Sequence, residues 1–142
     1  MKSFMSRAAL AGLLLGASML ATAATPAPEG AKVFFVSPKD GDVVSQEFKV
    51  QFGVEGGIAL AKAGEMIKNT GHHHLLIDVD KLPAEGVAIP TDANHVHFGM
   101  AQTETTLKLA PGKHTLQLIL GDYGHVPFDP SIVSEKITVT VE

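Results

Sequence analysis

Seven histidines stand out among the 142 residues, because five of them fall in two short clusters. The first cluster lies in residues 71–76 (GHHHLL) and the second in residues 94–99 (NHVHFG). Imidazole is the commonest protein ligand for Zn²⁺ and Cu²⁺. The chain has no cysteine, so a metal ion would be held by His, carboxylate, Met or backbone oxygen. The residue types therefore indicate a nitrogen-rich transition-metal site, with copper or zinc as the expected ion.

The spacing within each cluster places two imidazoles on one face of a strand. Alternate residues of a β-strand share a face and lie about 6.5–7 Å apart. If the apolar residues of each strand point into the core, both His-x-His pairs point outward, away from it. The expected ligands are His72, His74, His95 and His97, with His73, His125 and Glu104 as possible additions. If the imidazoles keep a pKa of roughly 6.5, metal affinity should fall steeply between pH 7.5 and pH 5.

The same histidines have a structural interpretation. Histidines at strand ends often only form hydrogen bonds with the backbone, and a run of three can be a solvated turn. His114 lies on a strand beside two leucines, which favours a structural role for it. His125 lies in a loop that contains two glycines, where a functional or a structural role is equally expected.

Short alternating segments separated by turn residues predict the fold class. Apolar residues alternate with polar ones in segments 48–54, 75–79, 116–120 and 137–141, which is the pattern of strands with one buried face. Pro and Gly mark turns between them, for example at 37–41 and 110–113. The pattern predicts an all-β fold over residues 32–142, an immunoglobulin-like antiparallel β-sandwich of about seven strands.

The N-terminus predicts export. Lys2 and Arg7 precede an uncharged apolar run, and Ala21-Thr22-Ala23 supplies small residues for a signal peptidase. We therefore predict a signal peptide over residues 1–23, a flexible leader over 24–31 and a periplasmic or secreted domain. The apolar run is shorter than the roughly 20 residues of a membrane span, so no membrane insertion is expected.

The net charge of the exported domain limits the classes of partner that it is expected to bind. Two of the 11 basic residues lie in the predicted signal peptide, whereas all 15 acidic residues lie beyond it, which leaves a net charge of about −6. Nucleic-acid binding requires a basic face, so it is not expected. The expected partner is a metal ion or an unidentified periplasmic protein, and the domain is expected to be a monomer.

Several motifs resemble those of a family of secreted bacterial domains of unknown function. They are SPKDG at 37–41, GHHHLLID at 71–78, NHVHFG at 94–99, QTET at 102–105, PGKHTLQL at 111–118, and Gly121-Asp122 followed by His125-Val126-Pro127. The resemblance spans nearly the whole exported segment. It implies a periplasmic domain with shared His-rich motifs, and it implies no activity.

Three functions follow, in decreasing order of support. The first is a metal-binding domain without catalysis. The second is an immunoglobulin-like interaction or scaffold module with structural His clusters. The third is a metal-dependent enzyme, which would need an open coordination position and a base such as Glu104. No nucleophile elbow and no phosphate-binding glycine loop occurs in the sequence.

Overall fold

The computed structural model of the chain describes residues 23–142, which form strands and loops without a helix. The predicted signal peptide lies outside the described residues except for Ala23. The strands of residues 23–142 are β1 (Lys32–Ser37), β2 (Val43–Val44), β3 (Glu47–Glu55), β4 (Ala59–Leu60), β5 (Thr70–Ile77), β6 (His95–His97), β7 (Glu104–Lys108), β8 (Gly112–Gly121) and β9 (Ile137–Val141).

The strands form two sheets. The smaller sheet has the order β1-β3-β7, and the larger has the order β2-β9-β8-β5-β4, with β6 paired to β5 beside β4. The prediction of an all-β sandwich is confirmed. The described residues contain nine strands rather than about seven, because two-residue strands form at 43–44 and 59–60. These two strands pair in parallel with β9 and β5, so the larger sheet is mixed rather than purely antiparallel.

The main core lies between the two sheets and follows from the alternation in the sequence. Phe48, Val50 and Phe52 of β3 face Leu75 and Ile77 of β5 across it. Leu116, Leu118, Leu120, Ile137, Val139 and Val141 add the inward positions of β8 and β9. Each of these side chains is at most 8 % exposed, so burial of alternate residues stabilises the sandwich.

The other face of the larger sheet is also covered. Leu76 and Ile119 point to this face and pack against Ile89, Val79 and Val133 from the loops after β5 and β8. Val79, which the alternation placed in the main core, therefore belongs to this second cluster. His72 and His74 lie on the same face and are 1 % and 0 % exposed. The expectation that they point away from the main core is confirmed, but they are buried under loops and not turned toward solvent.

Part of the predicted flexible leader, residues 24–31, is hydrogen-bonded to the rest of the domain. The amide of Ala27 donates to the carbonyl of Asp129, and the amide of Asp129 donates to the carbonyl of Thr25, at 2.8 and 2.9 Å. Pro26 and Asp129 form an isolated parallel bridge. Within residues 23–142, no helix is long and apolar enough to cross a membrane.

Candidate metal centre

Three histidines converge because of the register between two neighbouring strands. His74 of β5 lies directly opposite His97 of β6, and directly paired residues of an antiparallel ladder project to the same face. His72 lies on this face two residues before His74. The pairing of β5 with β6 therefore brings His72, His74 and His97 together on the covered face of the larger sheet.

The fourth histidine comes from the loop that follows β8. Gly121, the last residue of β8, pairs with His72, so the chain leaves the sheet directly beside the cluster. His125 has a φ of +66°, and its amide donates to the carbonyl of Asp122. Its own carbonyl accepts a 2.8 Å hydrogen bond from the amide of Ile89. These contacts turn the loop back, so that the ring of His125 reaches the three rings on the sheet.

The four side chains form one compact group of possible ligands. One ring nitrogen from each of His72, His74, His97 and His125 lies within 4.8 Å of the others. Nε2 of His72 is 3.0 Å from Nε2 of His74 and 3.1 Å from Nδ1 of His125. His72 and His74 are buried, whereas His97 and His125 are partly exposed. The group is therefore nearest to solvent on the His97 and His125 side.

Burial keeps the two innermost rings neutral. Desolvation, followed by repulsion from neighbouring histidines, lowers the pKa of His72 to about 4 and that of His74 to about 3. Burial and His125 also lower the pKa of His97. Neutral imidazole is the form that binds metal. We therefore expect protons to compete with the metal only at a lower pH than an unperturbed pKa of roughly 6.5 implies. The fall in metal affinity, expected from the sequence between pH 7.5 and pH 5, should accordingly begin at a lower pH.

Hydrogen bonds between the rings do not satisfy all the ring nitrogens of the cluster. A neutral imidazole nitrogen carries either one hydrogen or one lone pair. Nε2 of His72 faces two ring nitrogens at hydrogen-bond distance and can make a well-formed bond to only one of them. Among residues 23–142, Nε2 of His97 and Nδ1 of His74 have no hydrogen-bond partner although both atoms are buried. A cation bound at the centre would accept the converging lone pairs that the rings cannot share with one another.

Two of the predicted candidates lie outside this group because their strand positions place them elsewhere, and each contacts a charged neighbour there. His95 pairs with Leu76, farther along β5, and its Nδ1 is 2.8 Å from Asp92 Oδ1. Glu104 lies on β7 of the smaller sheet and forms an ion pair with Lys49 at 3.1 Å. The structure therefore does not bring His95 or Glu104 to the cluster.

His73 and His114 also lie apart from the cluster. His73 points to the main core, where its ring centroid is 4.5 Å from that of Phe52. His114 is 2.7 Å from Asp78 through Nδ1 and 2.8 Å from the carbonyl of Ala110 through Nε2. These contacts with Asp78 and Ala110 raise the pKa of His114, which agrees with the structural role favoured for it.

Two glycines that the sequence analysis did not single out make room for the rings. A Cβ on Gly121 would lie 2.8 Å from Nε2 of His74. A Cβ on Gly99 would lie 2.5 Å from Nε2 of His97 and 3.3 Å from the Cβ of Ala63. All three distances are shorter than ordinary van der Waals contacts. The signal in the sequence was the position of each glycine, at the end of a His-bearing strand or just after it.

Replacing Gly99 with alanine should weaken metal binding while leaving the fold intact. The added methyl group meets the far end of the His97 ring, which can rotate away, so the strain falls on the ligand rather than on the backbone. We expect a loss of affinity of about 10-fold or more, as when the group that orients a ligating His is lost. Gly53→Ala is the matched control, because its Cβ would also meet the far end of an aromatic ring, that of Phe34 at 2.9 Å, but on the smaller sheet away from the cluster. Equal affinities of the two variants, measured by competition titration, would contradict the assignment of His97.

Comparisons with known proteins identify a family and a distant structural likeness. The family model described as "Domain of unknown function (DUF4399)" matches residues 50–142. No curated protein matches the chain. Among solved structures, the fibronectin(III)-like modules of Clostridium thermocellum CbhA are similar at 15 % identity, over 77 % of this chain and 92 % of that chain, with a TM-score of 0.34. The family match includes all four histidines of the cluster.

Proposed function

The chain belongs to the DUF4399 family of domains of unknown function, and from the geometry of its site we propose that it binds one divalent transition-metal ion through His72, His74, His97 and His125. The observation that carries the proposal is the convergence of four ring nitrogens within 4.8 Å, two of them on buried side chains. Buried neutral imidazoles whose nitrogens are not all hydrogen-bonded are costly to assemble. A bound cation would offset that cost.

The nitrogen ligands, rather than their spacing, favour Cu²⁺ over Zn²⁺. A tetrahedral Zn²⁺ with bonds of about 2.0–2.1 Å places all its nitrogen ligands about 3.3 Å apart. Here the spacing is unequal, with His72 at 3.0 and 3.1 Å from two partners and ligand atoms spread over as much as 4.8 Å. The ring centroids of His74 and His125 are farthest apart, at 5.8 Å. One ion with bonds of about 2 Å cannot span nitrogens more than about 4 Å apart in either geometry, so the rings must close slightly around it. The preference for Cu²⁺ therefore rests on its stronger binding to nitrogen ligands.

The ligand count favours binding without catalysis. A catalytic zinc site keeps one position for water, whereas four protein ligands close a tetrahedral site. Glu104, which the sequence offered as a general base, lies on the smaller sheet and pairs with Lys49. We propose that the domain holds or carries the ion outside the cytoplasm, after removal of the predicted signal peptide.

Calorimetric titration of the protein, purified without an affinity tag, tests the proposal. At pH 7.5 we expect saturable binding of one Cu²⁺ per chain, and Cu²⁺ should displace Zn²⁺ in competition. Binding to the native state alone should also raise the thermal midpoint, with about 2.7 kcal/mol of stabilisation when free ion reaches 100 times Kd. Absence of saturable heat with Cu²⁺, Zn²⁺ and Ni²⁺ would instead support an interaction module with structural histidines.

A further inference from the structure

Asp122 organises the loop that carries His125. Its side chain is buried, and Oδ1 accepts hydrogen bonds from the amides of Gly124 and Val126 at 2.9 and 3.0 Å. These two amides flank His125 on either side. The backbone of Asp122 also bonds to this loop, as its amide donates to Val126 and its carbonyl accepts from His125. One carboxylate oxygen and one peptide group therefore fix the conformation on both sides of His125.

The second oxygen of Asp122 contacts the N-terminal segment. The hydroxyl of Thr25 donates a 2.7 Å hydrogen bond to Oδ2 across 97 residues of sequence. Thr25 is itself held by the backbone bonds that join residues 25–27 to Asp129. We call residues 25–27 the N-terminal clasp. The clasp and the loop of His125 are thus joined through the Asp122 carboxylate.

His125 needs such support because its backbone conformation is energetically unfavourable. His125 has a φ of +66°, a left-handed conformation that is unfavourable for any residue other than glycine. Without the hydrogen bonds of Asp122, the loop would gain other conformations in which the ring leaves the cluster. His72, His74 and His97, in contrast, are placed by strand pairing and do not depend on this loop.

We infer that the N-terminal clasp positions His125 for metal binding, acting through the bond between Thr25 and Asp122. This inference rests on the proposed function, since it assigns His125 as a ligand. It gives the segment directly after the predicted signal peptide a specific role. Cleavage of the signal peptide after Ala23 or Ala24 would leave Thr25 at or next to the new N-terminus. The first residues of the mature chain would then help to position a metal ligand.

Substitution of Thr25 tests the inference in the full chain, purified without a tag. Thr25→Val keeps the shape and removes the donor, and we expect Cu²⁺ affinity to fall about 10-fold or more. Thr25→Ser should restore the affinity. Thr106→Val, an exposed threonine on β7 of the other sheet, is the matched control and should bind like the parent chain. The electron paramagnetic resonance spectrum of bound Cu²⁺ in Thr25→Val should show one fewer coordinated imidazole.

A double-mutant cycle separates positioning from general destabilisation. In a His125→Ala background, Thr25→Val should cause no further loss of Cu²⁺ affinity, because the positioned ligand is already absent. An equal loss in both backgrounds would overturn the inference. So would parent-like affinity of Thr25→Val.

Hydrogen exchange keeps the inference testable if the parent chain binds no metal, a result that would reject the proposed function itself. Loss of the Thr25 hydroxyl should then still speed exchange of the Gly124 and Val126 amides in metal-free protein, more than exchange of amides in β9. Unchanged exchange rates of these two amides would overturn the inferred role of the N-terminal clasp.

Discussion

Replacing both His72 and His74 with alanine should abolish saturable Cu²⁺ binding. The two residues supply half of the ligand set, and Nε2 of His72 is the atom closest to two of the other ring nitrogens. We expect a loss well beyond the about 10–100-fold that follows from removing a partner of a ligating His. Because the structure joins the two sequence clusters into one group, this pair should cost as much as removing all four ligands together. Isothermal titration at pH 7.5 measures both variants.

The chain offers a control pair that also loses two histidines. His95→Asn and His114→Asn together also remove two imidazoles, but these side chains contact Asp92 and Asp78 rather than the cluster. The control should bind one Cu²⁺ with parent-like affinity. Losses that add between the residue 72–74 pair and the residue 97–125 pair would indicate two separate sites and contradict the single centre.

Metal-free protein should lose stability as the pH falls below about 6.5. Burial, with repulsion between the histidines, lowers the pKa of His72 and His73 to about 4 and that of His74 to about 3. In the unfolded chain these groups take up protons near pH 6.5, whereas in the folded chain they remain neutral to about pH 4. The unfolded state therefore binds more protons in this window, and acid favours unfolding.

The expected effect is large. Each such histidine contributes up to about 1.4 kcal/mol per pH unit, so three of them remove several kcal/mol between pH 6.5 and pH 4.5. A domain of this kind has a total stability of about 5–15 kcal/mol. Urea denaturation of metal-free protein at pH 7.5, 5.5 and 4.5 measures the slope. Staying above pH 4.5 avoids most of the titration of Asp92 and Glu104, whose pKa values are lowered by hydrogen bonds from His95 and Lys49.

The variant without His72 and His74 provides the matched comparison for the acid effect. It retains His73 and should therefore show a shallower loss of unfolding free energy between pH 6.5 and pH 4.5. A parent chain whose free energy of unfolding stays constant over this range would show that the buried rings are not held neutral, which contradicts the burial that the structure assigns to them.

Local pattern was sufficient to predict the sandwich. The alternation around Phe52, Leu118 and Val139 identifies strands with one buried face, and these residues do meet in the main core. The same alternation along the strand correctly predicted that His72 and His74 lie on the face opposite to Leu75. Two-residue strands such as β4 carry too few residues to show any period, so they could not be predicted.

The composition of the centre depends on register and on loops, neither of which a single sequence reveals. A pairing of β5 with β6 shifted by two residues would have placed His95 rather than His97 opposite His74. Glu104 follows the second cluster closely in sequence, but the chain crosses to the other sheet in between. The role of Asp122 needs a contact across 97 residues with Thr25. Long-range contacts of this kind have no local signature.

Anomalous diffraction from crystals of the Cu²⁺-loaded protein, collected at the copper absorption edge, tests the central claim most directly. We predict one strong peak per chain, about 2 Å from a ring nitrogen of each of His72, His74, His97 and His125. A peak at His95, at His114 or on the surface, with the four-histidine cluster empty, would contradict the account.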